Sequence, residues 1–160
     1  MSNAFFDAIK SGDLTSLSAM INDRPVLVNQ RDERGFSPLV MATYVGQIQI
    51  AKHLLENGAD VNARDAAGNT ALMGVCFKGS MPMIELLISE GADVNIQNQQ
   101  GGTALSFAIS FGHTEVVKYL IAMGANPHVL DSSGKSLLVL AKEKNQEQII
   151  AILEEAGAIQ

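Results

Sequence analysis

The sequence predicts an all-α solenoid, a stack of about five helix-turn-helix units joined by short β-hairpin or turn tips. The stretch Asp32–Arg64 recurs three times along the chain, and each copy begins 33 residues after the previous one. A fixed period between about 20 and 50 residues is typical of stacked-repeat proteins. Glycine and leucine hold the same places in every copy, at Gly35, Gly68, Gly101 and Gly134, at Gly58, Gly91, Gly124 and Gly157, and at Leu39, Leu72, Leu105 and Leu138.

Residues 4–31 are predicted to form a degenerate first unit that caps the stack. Phe5, Phe6 and Ile9 have helical spacing, and Leu14–Ile21 continues with a second apolar stripe. The sequence Ser11-Gly12-Asp13 between them combines a glycine suited to ending a helix with an aspartate suited to beginning the next.

The unit Asp32–Arg64 contains the signals for two short helices. Ser37 is a favourable N-cap and Pro38 suits the first helical position, where its missing N–H group costs nothing. We expect helices over about Pro38–Val45 and Ile48–Asn57. Two such helices cannot bury their apolar faces alone, so neighbouring units must stack on them.

The same pattern predicts units over residues 65–97, 98–130 and 131–160, which make residues 1–160 a single domain. Leu54 recurs as leucine in each later unit, as expected for the core of a stack. The last unit instead carries Glu147, Glu154 and Glu155 on its second helix, which predicts a solvent-facing end cap. With a cap at each end, the sequence is expected to be complete.

Composition excludes several classes of function. The net charge of −6 and the pI near 4.9 argue against nucleic-acid binding, which usually needs a basic stripe. The chain contains no apolar run of about 18 residues that would span a membrane, and its N-terminus does not resemble a secretory signal. We therefore expect a cytoplasmic protein without membrane contact. The single cysteine, Cys76, lies in an apolar helical stretch, which favours a buried side chain over a reactive thiol.

The repeated motifs resemble those of the ankyrin repeat, over roughly residues 4–158. The resemblance is carried by Gly35-Phe36-Ser37-Pro38-Leu39, by Gly112-His113, and by the run from Leu54 to Asn62 that reads LLENGADVN. The histidine that usually follows the proline and leucine of this family is replaced, so its polar network is expected to be absent. The degenerate first unit is similar in style to the small stand-alone ankyrin proteins of bacteria.

Nothing in the sequence indicates catalysis. His53, His113 and His128 lie in different units without the spacing of metal ligands, and no nucleophile motif or phosphate-binding glycine loop occurs. We expect no enzyme activity, no cofactor and no metal.

The ankyrin resemblance implies a monomeric module that binds another protein on a concave face built from turn tips and first helices. The alternative is a dedicated regulator, an inhibitor or assembly factor of one enzyme.

The ankyrin pattern places partner contacts on the turn tips and at the end of each first helix. Four aromatic residues on this face, Phe36, Tyr44, Phe77 and Phe111, form the leading hypothesis, because aromatic side chains are the usual anchors of binding energy. Two interpretations stay open for Phe77 and Phe111, which fit either the surface or the core between units. The full set of predicted partner-binding residues is Arg34, Phe36, Tyr44, Asn69, Phe77, Lys78, Gln100 and Phe111.

Overall fold

The computed structural model describes residues 4–158, and the regular structure in that range is entirely helical. This confirms the all-α prediction. A 3₁₀ helix, Pro25–Asn29, follows the second of the α-helices. In chain order the α-helices are α1 (Ala4–Ser11), α2 (Leu14–Asp23), α3 (Pro38–Tyr44), α4 (Ile48–Glu56), α5 (Ala71–Lys78), α6 (Met81–Ser89), α7 (Ala104–Ser110), α8 (Thr114–Ala122), α9 (Leu137–Glu143) and α10 (Glu147–Glu155).

The helices pair within each unit and stack in two rows between units. The odd-numbered helices form one row, in which each packs on the next, and the even-numbered helices form the second row. The odd-numbered row is the more closely packed of the two. We call the surface of the odd-numbered helices and their preceding turns the first-helix face.

A buried hydroxyl begins each odd-numbered helix after α1. These side chains accept a hydrogen bond from the backbone N–H three residues ahead, which satisfies one of the free donors of the first turn. Burial of a hydroxyl without such a partner would cost free energy. The expected N-cap role of Ser37 is therefore confirmed, and it is shared by Thr70, Thr103 and Ser136.

The tips between units are tight turns fixed by one acidic or amide side chain each. The Oδ1 atom of Asp32 accepts hydrogen bonds from the N–H groups of Arg34 and Phe36, at 2.9 and 2.8 Å. The same arrangement recurs at Asp65, Asn98 and Asp131. Within residues 4–158, β-pairing is limited to one isolated bridge between Leu130 and Ser136.

The core of the stack is an aliphatic spine. Leu54, Leu87, Leu120 and Leu153 are completely buried, and each such leucine stabilises the fold by about 1.5–3 kcal/mol. Cys76 belongs to the same core, and burial raises the pKa of its thiol to about 12. The prediction of a buried cysteine is confirmed.

A ladder of asparagines links the loops that follow the even-numbered helices. Asn95 donates from Nδ2 to the carbonyl of Gly124 at 3.0 Å, and its Oδ1 accepts from the N–H of Asn126 at 2.7 Å. Asn29 and Asn62 make the equivalent pair of bonds to the loop one unit ahead. The ladder ties each of the first three units to the one that follows it.

Candidate functional site

Three large aromatic side chains are exposed at the same level of consecutive units. Tyr44 ends α3, Phe77 lies in the last turn of α5, and Phe111 directly follows α7. Their exposed fractions are 67%, 46% and 49%. We call these three residues the aromatic row. The chain has only two tyrosines and six phenylalanines, so three exposed rings on one face form a concentrated apolar surface.

Phe77 and Phe111 meet across the boundary between their units. Their ring centroids are 4.3 Å apart and the ring planes are inclined by 74°, an edge-to-face arrangement that aromatic pairs favour. Each ring nevertheless stays about half exposed. The two interpretations left open by the sequence are thus both partly correct, since the rings pack between units and also face solvent.

A hydrogen bond to the backbone fixes the position of Phe77. The Nε2 atom of His113, at the start of α8, lies 2.8 Å from the carbonyl oxygen of Phe77 and donates to it. The imidazole packs over Gly79, whose φ of +76° is in the left-handed region. A Cβ atom at Gly79 would lie 2.6 Å from Nδ1 of His113, so this contact requires glycine. Gln146 donates in the same way to the carbonyl of Ile109, at 2.7 Å.

Two cations lie over aromatic rings at the N-terminal end of the face. The Nζ atom of Lys78 is 4.4 Å from the centroid of the Tyr44 ring and also donates to the Tyr44 carbonyl oxygen. The guanidinium carbon of Arg34 is 5.0 Å from the centroid of the Phe36 ring. Cation–π contacts of this kind hold a charge in place at a small gain in free energy.

A groove of about 430 Å³ lies between α1 and α3. Apolar side chains, including those of Phe36 and Tyr44, form most of its lining, and charged side chains lie at its edge. The sequence prediction missed Lys10. It occupies the place in α1 that Tyr44 occupies in α3, so extending the family pattern into the degenerate first unit would have found it. The lining residues are Lys10, Asp32, Arg34, Phe36, Val40, Met41, Tyr44 and Val45.

Asn69 and Gln100 differ in their surroundings. Asn69 is half-buried, and its Oδ1 accepts a hydrogen bond of 2.8 Å from Nδ2 of Asn98, which joins two turn tips. Gln100 is exposed and lines a second groove of about 470 Å³ near Phe111. Asn69 therefore holds the turns together, whereas Gln100 is accessible.

Lys135 lines the same second groove and is already paired. Its Nζ atom is 2.7 Å from Oε2 of Glu143. The hydrogen bond and charge of Glu143 raise the pKa of Lys135. Both side chains are substantially exposed, so the pair contributes little to stability.

The described residues show no other constellation with obvious chemistry. Among residues 4–158, no three histidine, cysteine, aspartate or glutamate side chains lie close enough together to hold a metal ion. In the same part of the chain, every helix is too short or too polar to cross a bilayer.

Taken together, the paired helices, the glycine-marked turns and the asparagine ladder define a stacked helical repeat protein. Comparison with protein families identifies the repeat. A model described as "Ankyrin repeats (3 copies)" matches residues 72–159, more than half of the chain, and "Ankyrin repeats (many copies)" matches residues 20–73. The chain belongs to the ankyrin repeat family, whose repeats generally mediate contacts between proteins.

Several known proteins share short segments with this chain. It is 45% identical over 49 residues to the human DNA-binding protein RFXANK, covering 31% of this chain and 19% of that protein. It is 35% identical over 54 residues to ankyrin repeat domain-containing protein 49 of Bos taurus, covering 34% and 23%. It is 36% identical over 61 residues to human ankyrin repeat domain-containing protein 29, covering 38% and 20%. The matched segments span about a fifth of each relative, and these animal proteins give no support to a bacterial origin.

Proposed function

We propose that this chain is a non-catalytic, monomeric module that binds another protein on its first-helix face, in the cytoplasm. The observation that carries the proposal is the aromatic row, which exposes Tyr44, Phe77 and Phe111 at one level of three consecutive units. Large aromatic side chains bury about 150–250 Å² each when covered, and central ones contribute about 2 kcal/mol or more to binding.

The rigidity of this face supports the same proposal. Phe77 is held by the edge-to-face contact with Phe111 and by the hydrogen bond from His113. Binding of a partner over these rings costs little conformational entropy, because the ring positions are already fixed before binding.

The test compares two double variants in affinity purification from the source cells. Phe77→Ser with Phe111→Ser removes two of the three exposed rings of the aromatic row that the proposal needs. Val26→Ser with Met123→Ser removes two exposed apolar side chains outside the first-helix face and serves as the matched control. We expect the first variant to lose the bound protein and the second to retain it.

Equal retention by both double variants would contradict the proposal, provided that circular dichroism shows both to be folded. The purified complex also separates adaptor from regulator. One stoichiometric enzyme partner would make the chain a dedicated inhibitor or assembly factor, whereas several partners would make it an adaptor. Light scattering on the purified chain tests the monomer.

A further inference from the structure

The first-helix face carries a net positive charge, although the chain as a whole is acidic. The odd-numbered helices with their turns, residues 4–12, 30–46, 63–79, 96–112 and 129–145, carry 8 lysines and arginines and 6 carboxylates, a net charge of +2. The remaining described segments, which hold the even-numbered helices, carry 3 cations and 11 carboxylates, a net charge of −8. The overall charge of −6 therefore conceals a first-helix face with a net positive charge, which attracts anions.

Cations at the N-terminal end of this face are available to a partner. Lys10, Arg34 and Lys78 form no ion pair within residues 4–158. Asp32 lines the same groove, and its Oδ1 atom accepts hydrogen bonds from the N–H groups of Arg34 and Phe36 in its own turn rather than from a cationic side chain. Lys78 and Arg34 are each held over an aromatic ring, so charge and apolar surface are presented side by side.

We propose that the segment recognised here is acidic and carries a large apolar side chain. The apolar side chain enters the groove beside Phe36 and Tyr44, and flanking carboxylates pair with Lys10, Arg34 and Lys78. This inference rests on the proposed protein-binding function and names the chemistry of the partner. Complementary charge of this kind speeds association and rejects wrongly charged segments.

The second groove does not offer the same combination. Its lining near Phe111 is richer in polar groups, including Gln100, Ser106 and Ser110, and Lys135 is already paired with Glu143. The carboxylates of the even-numbered helices repel an acidic segment from the opposite side of the stack. Charge and apolar lining therefore both direct the acidic segment to the groove between α1 and α3.

The experiment selects random displayed peptides on the whole chain and measures binding of the enriched peptides by fluorescence anisotropy. We expect the enriched peptides to be net negative and to contain a large apolar residue. The double variant Lys10→Glu, Arg34→Glu should bind these peptides about tenfold or more weakly. The matched control, Lys52→Glu with Lys118→Glu, makes the same change of charge on the even-numbered helices and should leave binding unchanged. All four side chains are exposed, so both variants should fold.

Salt provides a second measurement on the unaltered chain. Binding should weaken severalfold between about 0.05 and 0.5 M sodium chloride, because screening shortens the range of charge–charge attraction. Enriched peptides that are neutral or basic, or acidic peptides that bind the Lys10→Glu, Arg34→Glu variant equally well, would overturn the inference.

The two proposals fail in distinguishable ways. Enrichment of neutral or basic peptides whose binding depends on Phe77 and Phe111 would refute the proposal of an acidic segment. It would leave the proposed protein-binding function intact. Absence of any enriched peptide above a protein-free surface would refute both.

Discussion

Replacement of Gly79 by alanine tests how the aromatic row is held. Gly79 has a φ of +76°, and an added Cβ atom would lie 2.6 Å from Nδ1 of His113. A left-handed conformation costs a residue with a Cβ atom about 1–2 kcal/mol. Displacement of the imidazole breaks its hydrogen bond to Phe77, which adds about 0.5–1.5 kcal/mol. We therefore expect Gly79→Ala to lower the free energy of unfolding by about 2–3 kcal/mol.

Gly46 provides the matched control. It has almost the same conformation, with a φ of +77°, but a Cβ atom there meets no atom within 4 Å. Gly46→Ala should therefore cost only the conformational part, about 1–2 kcal/mol. Urea unfolding followed by circular dichroism measures both variants, since the chain lacks tryptophan.

A double-mutant cycle isolates the contact with the imidazole. In a His113→Ala background, the cost of Gly79→Ala should fall to that of Gly46→Ala, because the clashing ring is gone. The reasoning is refuted if Gly79→Ala and Gly46→Ala cost the same in the unaltered background.

Three further predictions concern the ladder, the core and a turn. Asn95→Ala breaks both hydrogen bonds to the next loop and should destabilise the protein by about 1–2 kcal/mol in urea, whereas no loss would show that the ladder contributes nothing. Burial raises the pKa of Cys76 to about 12, so stability should decline from about pH 8.5, where the unfolded thiol ionises, toward pH 12, and Cys76→Ala should flatten that decline. The hydroxyl of Ser133 donates to Asp131 and lowers the pKa of its carboxyl, so the stability that this turn contributes is lost as pH falls through that lowered pKa. Ser133→Ala should raise the pKa of Asp131 in an NMR titration, and an unchanged value would contradict the assignment.

The helices could be predicted almost residue by residue because the period repeats every capping signal. The sequence predicts helices over about Pro38–Val45 and Ile48–Asn57, and the structure has Pro38–Tyr44 and Ile48–Glu56. Each boundary has a local cause, such as the hydroxyl of Ser37, that does not depend on the rest of the fold. Local causes are what a single sequence displays most directly.

The contacts between units could not be predicted in the same way. A period locates backbone positions, but rotamers and the offset between neighbouring units decide which side chains touch. Phe111 is one residue out of register with Phe77, yet its ring reaches that of Phe77 across the unit boundary. Asn69 shares the tip position of Phe36 but bonds to Asn98 within the stack.

The sequence shows the recurring asparagines of the ladder but not the groups that they bind. Asn62 and Asn95 recur at the period, as structural residues of a stack must, but periodicity alone does not say which groups they bind. Their partners lie one unit ahead and become evident only when the loops are placed side by side. Residues that recur indicate the scaffold, and residues that vary among units, such as Lys78, indicate the candidate site.

Site-directed photo-crosslinking in the source cells tests the central proposal most directly. A benzophenone amino acid replaces Phe77 on the first-helix face or, as the control, Glu85 on α6, an exposed residue of the opposite row. We predict a discrete crosslinked partner protein from position 77 and none from position 85. A partner captured from position 85 but not from position 77 would contradict binding on the first-helix face.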